Sequence, residues 1–232
     1  MQPPRVFLFD VDGTLVTARG AGRRALGRAL AETFGTAGPI ETYDFRGRTD
    51  LQIVLDVMLA AGVPEPEIRR RIPDCFARYV AALEQAVGDG GGVQVMPGVK
   101  ELVQGLGERA DAILGLLTGN IEAGARVKLA PTGLLPYFRV GAYGSDAADR
   151  GRLPAVAAAR IERLTGQPVR FEQMIIIGDT PLDVACARAC GAMAVAVATG
   201  QHAVDELAAC RPDLIFPDFS DVAAALERLL HG

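Results

Sequence analysis

Three short polar clusters interrupt apolar segments of this 232-residue chain, and each carries residue types able to do acid–base or ligand chemistry. The first, Asp10-Val11-Asp12-Gly13-Thr14, follows an apolar run over residues 5–9. The second, Thr118-Gly119-Asn120, follows a run over 112–117, and the third, Gly178-Asp179-Thr180-Pro181-Leu182-Asp183, ends a run over 174–177. The runs are short and rich in Val, Ile, Leu and Phe, as strands buried on both faces are. Ligands of open parallel sheets bind beyond the carboxyl ends of the strands, so the clusters should share one sheet edge. That edge would gather four carboxylates, Asp10, Asp12, Asp179 and Asp183. Like charges so placed repel one another and need a positive partner. A hard divalent cation with oxygen ligands meets that need, and Mg²⁺ is the usual companion of phosphate chemistry.

The elements that must position these residues follow from periodicity. Helical spacing of apolar residues predicts helices over 23–34, 51–61 and from 64 or 65 onward, the last interrupted by Pro73 and resumed over 75–87. Gly88-Asp89-Gly90-Gly91-Gly92 then breaks the pattern and reads as a linker. Beyond it, helices over 98–106, 121–130, 153–164, 181–189, 204–210 and 221–230 alternate with strands over 112–117, 138–143, 174–177, 193–197 and 214–216. Such alternation implies a parallel sheet with helical crossovers. The expected architecture is α/β: a Rossmann-like parallel sheet core over 1–16 and 93–232, with a small helical-bundle cap over 17–92.

Phe7-Leu8-Phe9-Asp10-Val11-Asp12-Gly13-Thr14-Leu15 resembles the first motif of the haloacid dehalogenase-like superfamily. Leu117-Thr118-Gly119-Asn120 resembles its second and Ile177-Gly178-Asp179-Thr180-Pro181-Leu182-Asp183 its fourth, in the family's order. The resemblance covers essentially the whole chain and is greatest to the phosphoglycolate-phosphatase group. It implies a Mg²⁺-dependent phosphatase acting on a small phosphorylated metabolite. Asp10 would attack phosphorus to form an aspartyl phosphate. Asp12 would protonate the leaving alcohol and then deprotonate water. Thr118, Gly119 and Asn120 would hold phosphoryl oxygens. Asp10, the Asp12 carbonyl and Asp179 would hold Mg²⁺, with Asp183 completing the shell directly or through water. The third motif departs from the family's Lys-Pro: this chain has Asp149-Arg150-Gly151-Arg152-Leu153-Pro154. Arg150 matches the Lys position by register, with Arg152 as its rival, and a guanidinium can serve nucleophile and phosphoryl oxygen together.

Arg46 and Arg48 are further candidates for substrate contact from the cap, against the reading that they are ordinary exposed arginines. Gly20 and Gly22 suit a hinge or a close backbone approach, and Asp146 and Asp149 suit either the metal region or a solvated loop. Cys75, Cys186, Cys190 and Cys210 have no zinc-like pairing, and His202 and His231 read as bystanders. The net charge of -4 argues against nucleic-acid partners, and no apolar stretch reaches membrane-spanning length. A cytoplasmic monomer or homodimer is expected. A sugar phosphomutase using the same aspartyl phosphate remains an alternative, as does a non-catalytic binding protein on this fold. Asp12 disfavours a dehalogenase, a branch that lacks an acid at this position.

Overall fold

A computed structural model describes residues 4–88 and 92–231 of the chain. The Gly88–Gly92 linker therefore lies partly outside the described residues, which omit Asp89, Gly90 and Gly91. Strand β1 (Arg5–Phe9) leads into a short β2 (Val16–Thr17) and three helices, α1 (Ala21–Phe34), α2 (Asp50–Ala60) and α3 (Glu65–Val87). The chain returns through β3 (Gln94–Val95) and then alternates: α4 (Val99–Gly107), β4 (Ala112–Thr118), α5 (Glu122–Leu129), β5 (Val140–Tyr143) and α6 (Leu153–Thr165). It finishes with β6 (Met174–Gly178), α7 (Pro181–Cys190), β7 (Met193–Val197), α8 (Val204–Ala209), β8 (Leu214–Phe216) and α9 (Val222–His231).

The main sheet has six strands in the order β5-β4-β1-β6-β7-β8, and every pairing is parallel. Side chains alternate along β1: Phe7 and Phe9 join one buried cluster with α4 and α9, while Val6 and Leu8 join another with α6 and α7. Burial on both faces is why these strands lack a polar alternation. A third apolar cluster comes from α1, α2 and α3, built around Leu26, Leu30, Val54, Met58, Tyr79 and Leu83. Helix α5 joins the clusters, with Ile121 at its start in the third and Ala125 and Leu129 in the first.

The structure departs from the sequence expectation at two places. Helix α3 runs unbroken for 23 residues with Pro73 inside it. Proline there removes one backbone hydrogen bond and costs roughly 3 kcal/mol. Burial of Ile68, Cys75, Tyr79, Leu83 and Val87 along one stripe outweighs that loss, because the helix spans the whole third cluster. The second departure is the β2–β3 pair, which no periodicity announced. Val16 pairs with Val95 and Thr17 with Gln94, antiparallel, so the chain leaves and re-enters the sheet side by side.

The central strand carries the packing of both faces. Phe7 is fully buried between β4 and β6, so Phe7→Ala should lower unfolding free energy by roughly 3–5 kcal/mol, measured by urea denaturation. A loss under about 1 kcal/mol would mean that the sheet core does not depend on it.

Candidate active site

Strands β1, β4 and β6 are neighbours, with Phe9 in register with Leu116 on one side and Ile177 on the other. Their carboxyl ends bring Asp10, Thr118 and Asp179 to one edge. The Asp10 N–H donates to the Ile177 carbonyl at 2.9 Å, which extends the pairing one residue past the strand and holds the Asp10 backbone. Two glycines let loops close on Asp179. A Cβ at Gly13, where φ is +82°, would lie 2.3 Å from Asp179 Oδ2, and one at Gly200 would lie 1.7 Å from it. The Thr14 hydroxyl donates to Asp179 Oδ1 at 3.2 Å, and the Thr199 hydroxyl donates to the Gly13 carbonyl at 2.6 Å.

Asp10, Asp179 and Asp183 are buried, and each offers a carboxylate oxygen within 4.8 Å of the others. Burial pushes the Asp10 carboxyl up to about 6; Arg150 opposes that rise, while the charges of Asp183 and Asp12 add to it. Burial, reinforced by Asp10 and Asp183, holds Asp179 well above the ordinary carboxylate range. Carboxyls so placed resist ionising without a cation. An all-oxygen donor set of this kind fits a hard divalent ion.

Arg150 is the cation already present. Its guanidinium lies 3.3 Å from Asp10 Oδ1 and pairs directly with Asp183 Oδ1, and its Nη1 donates to the Gly47 carbonyl at 3.2 Å. Burial works against its charge, but Asp183 and Asp10 outweigh that and keep its pKa above the ordinary value. Its Nε is buried without a partner among the described residues, so one donor remains to be used. Arg152, two residues on, is exposed. Asp183 is heavily committed: Oδ1 takes Arg150, while Oδ2 accepts from the Thr180 N–H at 3.0 Å and the Thr180 hydroxyl at 2.7 Å. It therefore orients Arg150 and the start of α7 while remaining one of the three clustered carboxylates.

The Asp12 carboxylate lies outside this trio and faces a different set of groups. Its Oδ2 accepts from Asn120 Nδ2 at 2.8 Å and from Lys128 Nζ at 2.5 Å. Asn120 Nδ2 also donates to the buried Thr118 hydroxyl at 2.8 Å, and Asn120 Oδ1 accepts from Lys128 at 2.6 Å. Sequence reasoning missed Lys128. The signal was there: on α5, Lys128 falls on the same face as Gly124, Ala125 and Leu129, the buried stripe of that helix. Arg46, Arg48 and Lys128 line one cavity of about 390 Å³ with Asp10, Asp12 and Asp179. Arg46 is engaged with Asp44 through two hydrogen bonds, and Arg48 lies 3.9 Å from Asp56. Asp146 bonds the Tyr143 N–H and Arg160, and Asp149 caps the turn at Arg150, so both acids serve their own loop.

The family model for haloacid dehalogenase-like hydrolases matches residues 4–191. The chain belongs to that family. Across 224 residues it is 25% identical to the phosphoglycolate phosphatase of Photorhabdus laumondii, covering 96% of this chain and 92% of that one. It is 28% identical over 227 residues to the phosphoglycolate phosphatase of Synechococcus elongatus, covering 97% and 99%. Among solved structures, a hydrolase from Pseudomonas syringae superposes with a TM-score of 0.71 at 20% identity, over 97% of this chain and 98% of that chain, a likeness of fold.

In this haloacid dehalogenase-like hydrolase the segment before α2 is stitched to the sheet edge. The Asp50 N–H donates to the Gly119 carbonyl at 2.7 Å, Asp50 Oδ2 accepts from the Ile121 N–H at 2.8 Å, and the Thr49 hydroxyl donates to the Ala148 carbonyl at 2.6 Å. A Cβ at Gly119 would meet the Arg48 carbonyl at 2.0 Å, so only glycine permits this approach. Burial pushes the Asp50 carboxyl up to about 6, although the Lys128 charge and the Ile121 N–H pull it down. Between about pH 4 and 6 the folded chain then holds a proton that the unfolded chain has released. Stability from this group is present below that window and falls as pH rises through it. Asp50→Asn keeps the acceptor for Ile121 and removes the titration. Urea denaturation should find the variant more stable than the parent at pH 7, by up to about 3 kcal/mol, with the two converging toward pH 4. A variant less stable at pH 7 would show that Asp50 is held as a net-favourable anion.

Proposed function

We propose that this hydrolase is a phosphatase that cleaves a small phosphate monoester in two displacements on Asp10. The observation that carries the reading is the placement of Asp10. It is a buried carboxylate with Arg150 at 3.3 Å, Asp179 beside it, and a second acid two residues on that lines the same cavity but is bonded to Asn120 and Lys128 instead of joining the Asp10–Asp179–Asp183 trio. A nucleophile and a separate acid within one strand end suit a covalent phosphoryl transfer.

In this reading Arg150 offsets the charge of both nucleophile and substrate as they meet, and fixes the phosphoryl group for in-line attack. The Thr118 hydroxyl, with backbone N–H groups of Gly119 and Asn120, receives phosphoryl oxygens. Asp12 gives a proton to the leaving oxygen and later takes one from water. Asp10, Asp179 and the Asp12 carbonyl would hold Mg²⁺, with Asp183 supporting them. Bound there, the ion would neutralise charge between the nucleophile and the phosphate. Residues 17–92 act as a cap, and Arg48 and Arg46 on the cavity wall meet the rest of the substrate. The relatives' names make a phosphorylated hydroxy acid the first substrate class to try. The chain has no helix among its described residues long and apolar enough to cross a membrane.

The test is phosphate release from a panel of metabolite phosphates with Mg²⁺. Steady release is expected, abolished by a chelator and restored by the ion. Asp10→Asn should lose roughly 10³-fold or more in kcat while still binding substrate. Turnover surviving in Asp10→Asn would refute the covalent route. Isomerisation of a sugar phosphate that needs a bisphosphate primer, without net release of phosphate, would replace the phosphatase by a mutase.

A further inference from the structure

Lys128 is 3% exposed, yet the two-displacement reading gives it no part. A buried ammonium is costly unless it is paired, and the partners of this one lie within the site. It donates to Asp12 Oδ2 at 2.5 Å and to Asn120 Oδ1 at 2.6 Å. Asn120 in turn donates to the same Asp12 oxygen at 2.8 Å. The three side chains close a ring in which one carboxylate oxygen is held by two donors. The other oxygen, Oδ1, has no hydrogen bond among the described residues, and the Asp12 side chain is 45% exposed, on the wall of the cavity. The helices seal the far side of the ammonium. A Cβ built at Gly22 on α1 would lie 3.4 Å from Lys128 Nζ and 3.6 Å from the hydroxyl of Tyr79 on α3.

We propose that Lys128 is a positioning residue for proton transfer, pinning Asp12 Oδ2 together with Asn120 so that Oδ1 alone carries the proton to and from the substrate. The inference rests on the phosphatase reading above and deepens it. In the first displacement the Asp10 carboxylate forms a bond to phosphorus. The bond to the ester oxygen breaks with its electron pair, and the proton on Asp12 Oδ1 passes to that oxygen. In the second, water attacks phosphorus, its proton goes to Oδ1, and the Asp10–phosphorus bond breaks. Ester and water become alcohol and phosphate, and Asp12 ends as it began. A carboxyl free to rotate would present the proton-bearing oxygen to the leaving group only part of the time. Two donors on one oxygen remove that freedom.

The rival account is that Lys128 only balances buried charge. The two differ in their dependence on the leaving group. An alkyl phosphate must be protonated as it departs, whereas 2,4-dinitrophenyl phosphate departs as a stable anion. The measurement is kcat/KM, which reports formation of the phosphoryl-enzyme, for both esters with the intact chain and Mg²⁺. Lys128→Met keeps the length of the side chain and removes its donors. It should cost roughly 10²-fold or more on the alkyl ester and less than about threefold on the dinitrophenyl ester. In an Asp12→Ala background it should cost almost nothing further on the alkyl ester, since there is then no proton to position. Equal loss on both esters, or additive loss with Asp12→Ala, would overturn the role of Lys128. If that happened while Asp10→Asn was inactive, the phosphatase reading would stand without it. Activity in Asp10→Asn would overturn both. Should Lys128→Met fail to fold, Lys128→Gln, whose shorter side chain cannot reach Asp12 Oδ2 as the ammonium does, must show the same leaving-group dependence.

Discussion

Everything at this sheet edge depends on keeping like charges together out of water. Parallel pairing of β1 with β4 and β6 leaves no choice about where Asp10 and Asp179 go, because both begin where a buried strand stops. Carboxylates in that position repel, and burial raises the cost of each charge. The fold answers with two fixed cations. Arg150 sits between Asp10 and Asp183, and Lys128 sits against Asp12. The planar guanidinium spans two carboxylates at once, while the ammonium, a point charge on a flexible stem, reaches one acid and one amide. Each basic residue is used where its shape is needed.

This division separates two kinds of acid. Asp10 and Asp179 are buried, held above their ordinary pKa, and share their surroundings with Arg150. The Asp12 carboxylate is half open to the cavity and bonded on one oxygen only. A nucleophile and ion-binding group gain from being desolvated beside positive charge; a proton carrier gains from one fixed and one free oxygen. The environments, more than the residue type, suit these acids to the separate roles proposed for them.

Much of this was legible in the chain. The apolar runs before Asp10, Thr118 and Gly178 located three strand ends, and the alternation after Gly92 implied a parallel sheet, because fully buried strands and their crossover helices leave strong local patterns. What was illegible depends on contacts between distant segments. Pro73 looked like an interruption because local propensity is read from neighbours in sequence, whereas the stripe from Ile68 to Val87 is stabilised by packing against α1 and α2. The β2–β3 pair has only two residues on each side, too few to carry a period. Asp50 gave no sign, since its partners Gly119 and Ile121 lie some seventy residues away.

Lys128 is the instructive case. A lysine next to Leu129 in a short helix reads as a solvated charge, and that expectation holds for most lysines. Its helical phase says otherwise, because it shares a stripe with Gly124 and Ala125. A charged residue on an apolar stripe has two physical outcomes: it turns outward along its own stem, or it finds partners that repay desolvation. Here α1 and α3 lie against the ammonium on its far side, and Asp12 and Asn120 supply the partners. Coverage by the helices and pairing at the sheet edge are thus one constraint, since neither tolerates the loss of the other. A substitution that opened the helical layer would expose this ammonium and weaken its hold on Asp12, without touching any residue at the strand ends.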